Sequence, residues 1–93
     1  MFQLPIRQDN VILNPVKEVV GKKLSHLTLA EGEVTGHRHR ITSGLAALYE
    51  NNGILYLKVF SITAVLTHEE HEQITIPQGS WIVKIKREHK QEG

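Results

Sequence analysis

Two histidine pairs dominate the chemistry open to this chain: "TGHRHR" at residues 35–40 and "THEEHE" at residues 67–72. His37 and His39 are spaced i, i+2, and His68 and His71 are spaced i, i+3. The neutral imidazole is the commonest protein ligand for a metal ion, so the two pairs offer four nitrogen donors. Glu69, Glu70 and Glu72 stand by as oxygen donors. Three or four nitrogens, with or without a carboxylate, suit Zn, Fe, Ni, Cu or Mn, and a chain without cysteine has no thiolate to favour structural zinc. The expectation is a divalent transition metal held by His37, His39, His68 and His71. The competing reading makes "HEEHE" a polar loop tip, with one pair or neither holding an ion.

The elements around each pair decide between these readings. If residues 37 to 42 form a strand, His37, His39 and Ile41 share one face while Arg38 and Arg40 share the other. In "THEEH", Thr67 followed by Glu70 fits a capping box, which would open one helical turn and align His68 with His71. An extended loop would lose that alignment but still reach an ion. His26, alternating within "KLSHLTL", reads as a strand-face histidine with a backbone partner. His89 lies in a charged tail. Neither belongs to the site.

Beyond the histidines, the apolar pattern is short-period. "ILYLKVF" (54–60) and "SWIVKIK" (80–86) are rich in β-branched and aromatic residues, and Trp81, Val83 and Ile85 alternate with Lys84 and Lys86. Trp81, in phase with Val83 and Ile85, reads as a core anchor. "ENNG" between two such runs predicts a tight hairpin turn at Asn51, Asn52 and Gly53. Further strands are expected at Leu24 to Leu29, His37 to Thr42, Ser61 to Leu66 and Gln73 to Ile76, bounded by "AEGE", "TSG", "THEEH" and "PQG". "VKEVVGKKL" (16–24) fits a helical turn or another strand. With 93 residues and no convincing helical stretch, these elements make a single all-β domain over 1–93, a small barrel or sandwich with little or no helix. Residues 88–93 are expected to be a flexible tail.

Composition narrows the functional classes. The 40% apolar content supports a packed core, and no apolar stretch approaches the roughly 18 residues of a membrane span. With no signal-peptide pattern at "MFQLPIRQDN", the expected location is cytoplasmic. A net charge of +1 does not by itself argue for nucleic acid.

Gly32 with "TGHRH", a run of strands and then "ITIPQGSW" resembles the two-motif arrangement of the cupin superfamily. The resemblance covers about residues 32 to 82. It implies a small jelly-roll barrel with a metal in its mouth, His37 and His39 as ligands, and Pro77 and Gly79 as turn residues. The cupin glutamate has no counterpart, since Ser43 and Gly44 stand in its place, and Ile82 stands where the later histidine belongs. His68 and His71 would have to supply the missing ligands from another loop. Over most of its length, the chain also resembles small uncharacterised bacterial proteins that carry both histidine pairs, a likeness that implies no activity.

Three functions follow from the sequence. The first is a small metal-binding barrel, whose ion could activate water or dioxygen with Glu69 or Glu70 as general base. The second is an interaction module that forms a homo-oligomer or docks on a larger protein, its histidines serving as interface groups. The third is binding of RNA or single-stranded DNA through Arg38, Arg40 and the basic C-terminal strand with Lys84, Lys86, Arg87 and Lys90. The chain's few aromatic rings fall mostly on strands, where core packing explains them.

Overall fold

The longest element is a hairpin of two 15-residue strands, and everything else is added to its edges. In the computed structural model, which describes residues 4–32 and 34–86, eight strands form one antiparallel sheet. They are β1 (Ile6–Gln8), β2 (Val11–Val16), β3 (Lys22–Lys23), β4 (Thr28–Glu31), β5 (Arg38–Ser43), β6 (Ala46–Asn51), β7 (Ile54–His68) and β8 (His71–Ile85). The described residues contain no helix, so "VKEVVGKKL" supplies the end of β2 and the short β3. Arg87, His89, Lys90 and the expected tail at 88–93 lie outside the described residues.

The sequence expectation of four short strands between 54 and 86 is corrected to two long ones. Leu55, Leu57 and Val59 point inward from β7, and then Ala64 and Leu66 do so. The inward set therefore changes from odd to even positions. β8 changes phase too, with Ile76 buried on one side of the switch and Trp81 and Val83 on the other. The change falls at a bulge: the ladder steps from Val59↔Gly79 to Thr63↔Pro77, so Phe60, Ser61 and Ile62 face Gln78 alone. Pro77 and Gly79 lie inside β8 at this bend and do not form a turn between strands. Ser61 pins the bend, its Oγ accepting from Leu45 N–H at 2.9 Å and donating to Thr63 O at 2.6 Å.

The bend splits the edge of β7. Its first half pairs with β6, which carries β3, and its second half pairs with β5, which carries β4. On the other side, β2 and then β1 extend the sheet from the second half of β8. The resulting sheet curls into a half-barrel around one core. Trp81 is its largest fully buried side chain, with Leu13, Leu48, Leu57, Leu66 and Ile76 also at 0% exposure. The predicted hairpin turn falls at Asn52 and Gly53, both left-handed with φ of 54° and 79°. This pairing of residues matches the twist that a two-residue connection needs.

Candidate metal centre

β5 delivers the first histidine pair. Alternation along the strand buries His39 and Ile41 at 1% and 6% exposure and leaves Arg40 exposed. His37 stands just before the strand, in a turn where its N–H donates to Val34 O and its carbonyl accepts from Gly32 N–H at 2.7 Å. It is half-buried, on the same side as His39.

The second pair sits at the tip of the long hairpin. His68 ends β7, His71 begins β8, and Glu69 and Glu70 make the connection. The expected helical turn is corrected: the two histidines are cross-strand partners. Two long paired strands joined by two residues leave no length for a helical turn, and direct cross-strand pairing brings side chains together just as well.

Pairing of β5 with β7, at Arg40↔Thr67 and Ile41↔Leu66, then joins the pairs. The ring of His68 is central. Its centroid lies 4.4 Å from that of His39, 4.6 Å from His71 and 5.8 Å from His37. His39 and His71 are 6.2 Å apart and nearly parallel. Donor atoms of His37, His68 and Glu69 all lie within 4.8 Å of one another, close enough to share an ion. Among the described residues, His37 Nδ1 is buried without a hydrogen-bond partner, and Glu70 Oε2 lies 3.8 Å away. An unpaired buried nitrogen of this kind costs free energy unless something occupies it. Gly32 makes room for the ring beside it, because a Cβ there would stand 2.9 Å from His68 Nε2.

The groups around the cluster set its electrostatics. Glu69 Oε1 accepts the Arg38 backbone N–H at 2.9 Å, and this bond holds its carboxyl below the usual range. His68 Nδ1 accepts from Glu70 N–H at 3.0 Å, so the neutral ring carries its proton on Nε2. His71 Nε2 lies 3.4 Å from Asp9 Oδ2. His39 is pushed down to about 4, first by burial and then by its neighbours His68 and His71, with Asp9 and Glu69 opposing. It is therefore neutral and ligand-competent at pH 7.

That depression carries a stability consequence. The unfolded chain takes up a proton near pH 6.5 and the folded chain only near 4, so the contribution of His39 is fully present above 6.5 and is lost as pH falls toward 4. The upper bound is about 3 kcal/mol. In excess chelator, the urea midpoint should fall steadily from pH 7 to pH 4.5, and His39→Asn should flatten that slope. A wild-type midpoint independent of pH in this window would contradict the burial of His39.

The cluster opens on a polar cleft of about 870 Å³ bordered by Arg7, Asp9, Glu31, Glu70 and Lys86. A mostly apolar groove of about 970 Å³, with Leu24, Leu29, Ile54 and Leu55 in its wall, contains a single histidine, His26. Its Nδ1 accepts from Thr28 N–H at 3.1 Å, which is the expected backbone partner, although His26 lies outside the strands. Of the basic residues, Arg38 and Lys84 both border this apolar groove, Lys86 borders the histidine cleft, and Arg40 is exposed on β5. Gln8 and Asp9 also meet the cluster, at His39 and His71. Nothing local in "IRQDN" signals a site, and only the placement of β1 brings them to the histidines. Residues 7–86 match the family model described as a domain of unknown function, DUF8820. No curated protein and no solved structure matches the chain.

Proposed function

The chain belongs to the DUF8820 family, and we propose that it is a metal-binding protein holding one divalent transition ion between β5 and the β7–β8 turn. The observation that carries this reading is the meeting of donors from both pairs, with His37, His68 and Glu69 within mutual reach and His39 and His71 packed against His68. Histidine with carboxylate and no thiolate suits Zn, Fe, Ni or Mn. The cleft leaves one side of the cluster open, as a site that admits water or a small ligand requires. When bound, such an ion supplies Lewis acidity and lowers the pKa of coordinated water. The chain's own part is to hold His39 neutral, to keep the Glu69 carboxyl ionised, and to place the Asp9 and Glu70 carboxylates at the rim as proton acceptors.

Elemental analysis tests the reading directly. Protein purified without a metal-affinity tag, then loaded in turn with Zn, Fe, Ni and Mn and desalted, should retain one ion per chain for at least one metal. Retention of none at stoichiometry would end the proposal.

A further inference from the structure

Gln8 is buried to 3% exposure at the end of β1, next to Arg7 on the border of the histidine cleft. Its carboxamide is fully committed. Nε2 donates to Leu66 O at 3.0 Å and to Glu72 O at 2.9 Å, and Oε1 lies 2.8 Å from His39 Nδ1. Both backbone partners are carbonyls, which only accept, so the amide orientation is forced and Oε1 must face the histidine. An amide oxygen cannot donate. His39 therefore carries its proton on Nδ1, and its Nε2 lone pair is free.

We propose that Gln8 is a positioning residue for the metal centre, fixing His39 in the tautomer that ligates through Nε2. The inference rests on the metal-binding reading and adds His39, with its supporting hydrogen bond, to the ligand set. The arrangement follows the general rule that a metal-bound histidine donates its other ring N–H to a carbonyl or carboxylate, which orients the ring and raises its basicity. The contrast with His68 is informative. His68 Nδ1 accepts the Glu70 N–H, so that ring must change tautomer to bind through Nε2, whereas His39 is already set. The location of Gln8 also explains its two donated bonds. The β7–β8 ladder shifts register between Leu66 and His68, and the Gln8 amide joins the carbonyls of Leu66 and Glu72 across that shift. One side chain thus ties β1 to the hairpin tip and orients the ring beneath it.

The test uses the full chain and two variants. Gln8→Glu keeps an oxygen to accept the His39 proton and loses both donated bonds; Gln8→Met loses all three. Both should unfold more easily than wild type in urea. Zinc affinity, measured by competition with a chromophoric chelator, should separate them: Gln8→Met should bind about 10–100-fold more weakly, while Gln8→Glu stays near wild type. Long-range ¹⁵N–¹H spectra of the metal-free wild type should show His39 protonated at Nδ1, a readout that needs no variant to fold. A proton on Nε2, or a folded Gln8→Met with wild-type zinc affinity, would overturn the positioning role. If the wild type holds no zinc while His39 shows the Nδ1–H form, the hydrogen bond stands as described and the metal-binding reading is what has failed; the positioning role for a metal falls with it.

Discussion

His68→Ala should cost the protein about 100-fold or more in metal affinity, at or beyond the top of the roughly 10–100-fold range for losing a group that only orients a ligand. His68 alone touches every other member of the cluster: its ring packs against His39, His71 and His37, and it also belongs to the His37–His68–Glu69 donor group. Removing it takes a donor from that group and the packing partner from His39 and His71 at once. His71→Ala should be milder, because His71 is outside that donor group and its Nε2 is already close to Asp9. His26→Ala should change nothing, since that ring stands in the other groove. The measurement is zinc competition against a chromophoric chelator for the three variants side by side. Unchanged affinity in His68→Ala would show that the geometric centre of the cluster is not its chemical centre. Thermal melts in chelator separate a lost ligand from a lost fold.

Trp81→Ala is expected to be the most damaging single change to the fold. Trp81 is fully buried in β8, opposite Leu57 on β7 and Pro15 on β2, and its indole N–H donates to Pro77 O at 3.3 Å. Truncating a buried tryptophan costs about 3–5 kcal/mol. A domain this small has about 5–15 kcal/mol in total, so the variant should lie near the edge of folding at 25 °C. Trp81→Phe keeps a ring in the slot and should lose much less. Urea unfolding followed by far-ultraviolet circular dichroism checks both without relying on tryptophan emission. A cost of under about 1 kcal/mol for Trp81→Ala would contradict its full burial in the core.

These outcomes trace what the sequence discloses. The β-rich class, the Asn52–Gly53 hairpin, the core role of Trp81 and the inward turn of His39 and Ile41 are all local consequences of alternation and turn chemistry, and each is legible in a few adjacent residues. The bend is different. Across Phe60–Ile62 the inward positions change parity, so a period-two reading breaks one 15-residue strand into two and takes "PQG" for punctuation. "THEEH" misleads for a related reason: Thr67 and Glu70 satisfy a helix-start pattern, but the flanking strands were already paired to their ends. That His37 and His39 meet His68 depends on the register between β5 and β7, and that Gln8 meets His39 depends on β1 reaching the hairpin tip. Contacts between residues so distant in sequence leave no mark in local periodicity.

The junction of β5 with the hairpin tip already joins distant points of the chain, as the Arg38–Glu69 hydrogen bond does across 31 residues. An ion shared there would close a loop of that length. In a chain without cysteine it would take the place of a disulfide, restricting the unfolded ensemble by about 3–4 kcal/mol on the chain-entropy estimate. Unlike a disulfide, it would respond to mass action, gaining about 1.4 kcal/mol for each tenfold rise in free ion above the dissociation constant. Chelation rather than reduction would then undo the link, and the persistence of the fold would track the supply of metal around it.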